Sequence, residues 1–240
     1  MQMIFSKKIT VRPLFEKESS TYTYLIYDNE TLDAIIIDPV KETLQRDVNL
    51  ITELGLKLQW ILETHIHADH ITSAFDLHTK FGATIGLSNH AIVDCVQAKC
   101  LNDGEEIQVS NDLAFKFIET PGHTNCSACI LIDNFLFSGD TLLIRGCGRT
   151  DFQQGSNESL FKSVREKLFT LGDETIVLPG HNYKGEFFST IGEEKSFNPR
   201  LKMDNSFEQF AEIMDNLKLA APKKIDIALA GNKYCGREQV

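Results

Sequence analysis

Histidine and aspartate are concentrated in a few short segments of this 240-residue chain. Five of the seven histidines fall within residues 64–70, 121–124 and 179–182. A fourth segment, residues 137–141, adds Asp140 after an apolar run. Imidazole and carboxylate groups are the ligands that zinc and non-haem iron share. The sequence therefore predicts a metal-dependent reaction centre.

The densest of these segments reads Thr-His-Ile-His-Ala-Asp-His and follows a predicted strand. His65 and His67 stand in an i, i+2 relation, and alternate residues of an extended chain face the same way. Both imidazoles can therefore point to one place. Asp69 and His70 come next, at the predicted start of a helix over residues 71–81. A carboxylate there would meet the positive end of that helix.

The remaining candidate ligands stand singly. His123 follows a Pro-Gly turn, His181 repeats the same Pro-Gly-His pattern, and Asp140 ends an apolar strand. All the candidates lie at the ends of predicted strands, spread over residues 65–181. This placement favours a single domain, residues 1–240, that closes over one site.

Hydrophobic patterns predict strands and helices in alternation. We expect strands over residues 22–27, 34–38, 58–64, 83–88, 106–109, 113–119, 128–133, 135–137 and 175–178. We expect helices over residues 40–54, 71–81, 159–169 and 207–217. Two packed sheets with helices outside, an α+β sandwich, would accommodate these elements. Periodicity alone does not separate that arrangement from a Rossmann-like sheet.

Composition excludes several classes of function. The net charge of −10 argues against nucleic-acid binding, and no apolar run approaches the roughly 20 residues that span a bilayer. Because neither a signal nor a transit peptide is apparent, we expect a cytoplasmic protein. The six cysteines are too few for a disulfide scaffold, so we expect reduced thiols. Cys129 and Cys147 are expected to pack in the core.

The order of the motifs resembles that of the metallo-β-lactamase superfamily. The matching positions are the His-x-His-x-Asp-His run at 65–70, Gly-His at 122–123, Ser-Gly-Asp at 138–140 and Gly-His at 180–181. The resemblance implies an αββα sandwich with a metal site at the shared edge of two sheets. Asp38 resembles the first acidic motif of that superfamily, and we expect it to support the site from behind.

A longer segment narrows the resemblance. Residues 139–155, Gly-Asp-Thr-Leu-Leu-Ile-Arg-Gly-Cys-Gly-Arg-Thr-Asp-Phe-Gln-Gln-Gly, resemble the signature of the persulfide dioxygenases. Residues 181–185, 198–201 and 225–236 are similar to the same group in the same order. The resemblance implies an enzyme that oxidises glutathione persulfide with O2 and water to sulfite and glutathione. It also implies a homodimer.

The same resemblance assigns the metal ligands. His65, His123 and Asp140 would hold one Fe(II) per chain and leave the opposite positions open. The other superfamily positions would surround the ion without binding it: His67, Asp69, His70 and His181. The His and Asp pattern by itself allows zinc equally well, and only the resemblance selects iron.

Four residues could bind the glutathione moiety, which carries two carboxylates and an ammonium. Arg145 and Arg149 flank Gly-Cys-Gly just after Asp140, and a guanidinium can fork onto a carboxylate. Tyr183 and Lys184 follow the last histidine and could complete the rim. The alternative is that the arginines bind neighbouring acids for structural reasons.

Two other functions stay open. All seven superfamily ligands are present, so a hydroxyacylglutathione hydrolase with two metals is the second hypothesis, which the signature segment disfavours. A non-catalytic binding module is the third. The chain departs from the persulfide dioxygenase pattern at two places. The loop after His123 is one residue shorter, which could change the shape of the persulfide pocket. Asn182 replaces an aspartate, which removes a charge near the site and could alter the activity.

Overall fold

The computed structural model describes residues 4–5, 8–220 and 224–238. Its strands are β1 (Ile4–Phe5), β2 (Ile9–Glu16), β3 (Thr21–Asp28), β4 (Asp33–Ile37), β5 (Lys57–Leu62), β6 (Thr84–Ser88), β7 (Ala98–Leu101), β8 (Glu106–Gln108), β9 (Ala114–Glu119), β10 (Ala128–Ile132), β11 (Phe135–Gly139), β12 (Ile176–Pro179) and β13 (Ser189–Thr190). Its α-helices are α1 (Leu44–Glu53), α2 (Ala74–Phe81), α3 (Asn157–Lys162), α4 (Ile191–Phe197), α5 (Phe207–Asp215) and α6 (Ile225–Asn232). Short 3-10 or π segments extend α1 and α3: Lys41–Thr43, Ser163–Lys167 and Leu168–Thr170.

The first sheet has the order β1-β2-β3-β4-β5-β6-β7. Its first four strands pair antiparallel, and β4 to β7 pair parallel. Strand β4 is rich in buried β-branched residues, and β5 buries Leu58, Ile61 and Leu62. Helices α1 and α2 pack their apolar sides into one core with these strands, through Val48, Ile51, Ala74 and Leu77.

The second sheet has the order β13-β12-β11-β10-β9-β8. It is also mixed, because β11 and β12 pair parallel whereas β9–β10, β10–β11 and β12–β13 pair antiparallel. Helices α3 and α5 contribute to its core through Leu160, Phe210 and Met214, which cluster with Leu136 and Val177 of the strands. The predicted α+β class, with two sheets and accompanying helices, is confirmed.

The chain divides into two compact units. The first unit comprises residues 1–101, 106–115 and 221–240, and the second comprises residues 102–105 and 116–220. Each unit contains some of the candidate ligand residues. The single domain expected over residues 1–240 stays a prediction.

Most of the predicted elements are present, but two helices start later than predicted. Helix α1 begins at Leu44 rather than at residue 40, after a 3-10 turn over Lys41–Thr43. Helix α2 begins at Ala74 rather than at residue 71. The backbone N–H of Thr72 donates to Asn232 Oδ1, and that of Ser73 donates to the Pro39 carbonyl. Those donors are therefore engaged outside the helix, and Asp69 and the following histidine belong to a loop.

The expectation of reduced cysteines is wrong for one pair. Cys95 and Cys235 form a disulfide, with their Cα atoms 6.0 Å apart. Cys100 is exposed and unbonded, whereas three other unbonded cysteines are buried: Cys126, Cys129 and Cys147. Burial raises the pKa of Cys129 to about 12 and that of Cys147 to about 11, which fits the packing role predicted for both. Among the described residues, no helix combines the length and apolar character needed to cross a membrane.

Candidate metal centre

In the first unit, a loop that follows β5 brings three histidines together. The ring centroids of His65 and His67 lie 4.1 Å apart, and those of His67 and His70 lie 4.2 Å apart. All three are buried. The i, i+2 spacing thus has the geometric result that the sequence predicted, although the segment lies beyond the end of the strand.

A buried relay fixes the orientation of His65. Asp38, at the end of β4, accepts hydrogen bonds from the Thr64 backbone N–H and from the Thr64 hydroxyl, both at 2.8 Å. Since that hydroxyl donates to Asp38, its oxygen can accept from His65 Nδ1, which lies 3.0 Å away. The relay therefore leaves His65 Nε2 as the basic nitrogen for a metal. The supporting role of Asp38 at a metal site stays a prediction.

His67 is buried beside two carboxylates. Its Nε2 lies 3.2 Å from Asp38 Oδ1 and 3.4 Å from Glu63 Oε2. Burial alone would lower the pKa of His67, but the two carboxylates outweigh it and raise that pKa well above its usual value. Burial also raises the pKa of Glu63, whose Oε1 accepts a hydrogen bond from the Thr72 hydroxyl at 2.5 Å. Glu63 was not among the predicted site residues, although a charged residue directly after a buried strand was the available signal.

The first unit contains orphaned polar atoms that a cation would satisfy. Among the described residues, neither His67 Nδ1 nor His70 Nε2 has a hydrogen-bond partner, and both atoms are buried. Buried polar atoms normally have one. The ligand atoms of His67, Asp69 and His70 lie within 4.8 Å of one another, as do those of Asp38, Glu63 and His67. This donor set fits a metal ion.

In the second unit, His123 and Asp140 lie side by side. His123 Nε2 is 3.7 Å from Asp140 Oδ2, a separation suited to two ligands of one ion. His123 Nδ1 lies 2.6 Å from the backbone carbonyl of Arg149, which can only accept, so Nδ1 carries the hydrogen and Nε2 is left basic. The other oxygen of Asp140 accepts from His181 Nδ1 at 2.6 Å.

The Gly-Cys-Gly segment makes room for this arrangement. A Cβ added at Gly148 would lie 2.7 Å from His123 Nδ1, and would also collide with the Asp140 carbonyl, which accepts from the Gly148 N–H at 2.6 Å. The segment is held by Asn198, which donates to the Gly146 carbonyl at 3.0 Å, and by Arg200, which donates to the Cys147 carbonyl at 2.9 Å. The signature therefore has a physical role, because it carries the carbonyl that orients His123.

Both predicted substrate-binding arginines have carboxylate partners. The Arg145 guanidinium bonds the buried Glu194. Arg149 pairs with Asp151 through two bonds of 2.6 and 2.7 Å and donates to the Ala220 carbonyl at 2.7 Å. These contacts are the structural alternative raised from the sequence, and substrate binding by either arginine stays a prediction.

The other two predicted substrate residues lie on an exposed loop. Tyr183 is 78 % exposed and stacks on His181 with ring centroids 6.1 Å apart, and Lys184 is exposed beside it. Asn182 is buried, and its side-chain oxygen accepts from the backbone N–H groups of Lys184 and Glu186 at 2.7 and 3.0 Å. An asparagine therefore suffices to hold the turn.

Comparison with known proteins identifies the family. A model described as "Metallo-beta-lactamase superfamily" matches residues 17–93 and 101–181. The chain is 44 % identical over 231 residues to the Bos taurus protein named "Persulfide dioxygenase ETHE1, mitochondrial", covering 95 % of this chain and 89 % of that protein. This chain belongs to the persulfide dioxygenase family of the metallo-β-lactamase superfamily. Both the family and the fold predicted from the motifs are confirmed.

Two further comparisons place the chain within the superfamily. The crystal structure of ETHE1 from Myxococcus xanthus superposes with a TM-score of 0.90 at 46 % identity, covering 95 % of this chain and 99 % of that one. A Haemophilus influenzae protein named "Hydroxyacylglutathione hydrolase GloC" is 34 % identical over 198 residues, covering 74 % of this chain and 91 % of that protein. The hydrolase is thus a more distant relative than the persulfide dioxygenases.

Proposed function

We propose that the chain is a persulfide dioxygenase that uses one Fe(II) held by His65, His123 and Asp140. The reaction would consume glutathione persulfide, O2 and water and give glutathione and sulfite. One observation carries the proposal: the identity of 44 % over 95 % of the chain with a named persulfide dioxygenase.

The local geometry of the three proposed ligands supports the metal assignment. Each histidine has its Nδ1 hydrogen engaged, His65 with Thr64 and His123 with the Arg149 carbonyl, so each presents Nε2. Asp140 keeps Oδ2 beside His123 while Oδ1 is held by His181. Two imidazoles and one carboxylate are the donor set of non-haem Fe(II) oxygenases, and bound Fe(II) would supply the electron transfer to O2 that zinc cannot.

The exposed loop after His181 is our proposed contact for the glutathione carboxylates. Lys184 offers a solvent-exposed ammonium, and Tyr183 offers a flat ring and a hydroxyl. The guanidinium groups of Arg145 and Arg149 already bind carboxylates of the protein. They could bind a glutathione carboxylate only by sharing or exchanging those partners. We therefore expect the arginines to position the loop around residues 145–149 as well as to bind substrate.

Oxygen consumption tests this proposal. The protein should be purified anaerobically, loaded with Fe(II) and mixed with glutathione persulfide, while O2 uptake and sulfite are followed together. We expect one O2 consumed for each sulfite formed. Absence of O2 uptake by the iron-loaded protein would contradict the proposal.

A hydroxyacylglutathione hydrolase is the second candidate, and one observation favours it. His67 Nδ1 and His70 Nε2 are buried and have no hydrogen-bond partner among the described residues. Together with Asp69, these two histidines form a donor set for a second ion. With two metals the chain would hydrolyse a hydroxyacyl thioester of glutathione without consuming O2. Thioester hydrolysis in an anaerobic chamber, measured on zinc-loaded protein, separates the two functions.

We further propose that the chain forms a homodimer, which light scattering of the purified protein can check. The cytoplasmic location expected from the sequence also stays a prediction, and the Bos taurus relative is named mitochondrial. Neither property enters the assignment of the site.

A further inference from the structure

The side chain of Asn232, at the end of α6, holds the histidine loop of the first unit. Its Nδ2 donates to the His67 carbonyl at 2.8 Å and to the His70 carbonyl at 2.9 Å. Its Oδ1 accepts from the Thr72 N–H at 2.9 Å. One buried amide thus satisfies three backbone groups of the segment that carries the proposed ligand.

The residues after Asn232 continue along the same loop. The Cys235 carbonyl accepts from the Phe75 N–H at 3.0 Å, in the first turn of α2. Gly236 passes so close to Thr72 that an added Cβ would collide with the Thr72 carbonyl. Residues 232–236, hereafter the C-terminal strap, are therefore fitted to the backbone of residues 67–75 by contacts at several points.

The disulfide fastens this strap to a second segment of the first unit. Cys95 lies between β6 and β7, and its bond to Cys235 joins positions 140 residues apart. The Asp94 N–H also donates to the Lys233 carbonyl at 2.7 Å. Cys235 lines a small cavity together with His65 and His67. The disulfide thus borders the same small cavity as the proposed ligand His65, although neither cysteine belongs to the proposed ligand set.

We propose that Asn232 is a positioning residue for the metal-binding loop and that the Cys95–Cys235 disulfide is a thiol-sensitive fastening that holds it there. The inference rests on the proposed metal site, but not on the oxygenase chemistry. With the disulfide intact, the strap keeps the backbone of residues 67–72 in place. With it reduced, the strap is held by hydrogen bonds alone and the loop retains metal less firmly.

The redox step is an ordinary thiol–disulfide exchange. Two molecules of a low-molecular-weight thiol would transfer two protons and two electrons to the Cys95–Cys235 bond, forming their own disulfide and leaving Cys95 and Cys235 as thiols. Glutathione, a product of the proposed reaction, belongs to this class of reductant. Metal retention would therefore depend on the concentration of reduced low-molecular-weight thiols around the protein.

Metal release measures this directly without O2 or persulfide. The wild-type protein, loaded with Co(II), is mixed with excess chelator, and the cobalt absorption is followed with and without reduced glutathione. Loss of a supporting contact typically weakens metal binding by about 10- to 100-fold. We expect reduction to speed release by about tenfold, and we expect Asn232→Asp, which keeps the acceptor and loses both donors, to do so without reductant.

Two cysteine variants are matched controls. Cys95→Ser should release cobalt quickly and ignore glutathione, whereas Cys100→Ser, at the exposed unbonded cysteine, should behave as wild type. The proposal is overturned if mass spectrometry finds no Cys95–Cys235 bond, or if verified reduction leaves the wild-type release rate unchanged. If Asn232→Asp releases cobalt at the wild-type rate, Asn232 is not a positioning residue for the loop. Since wild type alone decides the disulfide question, a variant that fails to fold does not obscure the result.

Discussion

The two units present their proposed iron ligands in the same tautomeric form but by different means. In the first unit, His65 Nδ1 is engaged by the Thr64 hydroxyl, which is itself held by the buried carboxylate of Asp38. In the second unit, His123 Nδ1 is engaged by the backbone carbonyl of Arg149. One histidine is thus oriented by a relay of side chains, and the other by main chain alone.

This difference predicts which kind of substitution disturbs each unit. A side-chain relay can be removed by a substitution that leaves the backbone in place. A main-chain carbonyl can be displaced only by changing the path of the backbone, which here depends on the space at Gly148. We therefore expect the second unit to be sensitive to added volume and the first to be sensitive to lost hydrogen bonds.

The largest effect is expected for Gly148→Ala. The new methyl group would lie 2.7 Å from His123 Nδ1 and would force the Arg149 carbonyl away from it. We expect metal affinity, measured by competition with a chelator, to fall by about 100-fold, the upper end for lost supporting contacts. Gly146→Ala is the control, because its Cβ would meet nothing closer than Leu143 at 3.9 Å. Equal behaviour of the two variants would contradict the role given to Gly148.

A smaller effect is expected for Thr64→Val in the first unit. The substitution keeps the side-chain shape but removes the hydroxyl between Asp38 and His65. We expect metal affinity to fall by about tenfold and the free energy of unfolding to drop by about 1–3 kcal/mol, since a buried carboxylate loses a partner. Thr52→Val removes a hydroxyl that bonds only within α1 and should change neither quantity. Unaltered metal affinity in Thr64→Val would exclude the relay.

Arg149→Ala separates the side chain of Arg149 from its carbonyl. Because His123 is held by the carbonyl, we expect the metal content to be unchanged. We expect the KM for glutathione persulfide to rise by about tenfold, or about 1.4 kcal/mol, if the guanidinium meets a substrate carboxylate. Arg165→Ala, at an arginine that donates to backbone carbonyls elsewhere in the second unit, is the control. An unchanged KM would remove Arg149 from the substrate site.

The reactivity of the cysteines is also expected to differ between the two units. In the second unit, burial raises the pKa of Cys129 to about 12 and that of Cys147 to about 11, so both thiols stay protonated at pH 8. We expect alkylation at that pH to label Cys100 alone in the oxidised native protein, and to add Cys95 and Cys235 after mild reduction. Peptide mass mapping checks this. Rapid labelling of Cys147 would contradict its packed environment.

The sequence predicted the ligand loops well because they are local. Each of these loops depends on residues that are consecutive in the sequence: a strand end, a Pro-Gly turn or the signature around residues 139–155. Periodicity and spacing therefore reveal them. The strands β4, β5 and β11 were predicted close to their true bounds for the same reason. The metal-ligating potential of the histidine run also follows from its spacing.

What the sequence did not predict depends on contacts between distant positions. Asn232 bonds the His67 carbonyl across 165 positions, and the Cys95–Cys235 bond spans 140. No local pattern marks such pairs. Helix α6 was missed because its apolar residues do not form a one-sided stripe. Helix α2 starts late because Thr72 forms a β-bridge with the distant Val40.

Metal counting on matched carboxylate variants tests the central claim most directly. Wild type, Asp140→Ala and Asp69→Ala are purified anaerobically with Fe(II), and iron per folded chain is determined by elemental analysis. If one ion is held by His65, His123 and Asp140, the three proteins will contain one, no and one iron, respectively. Two ions in wild type, or an iron retained by Asp140→Ala, would contradict the account.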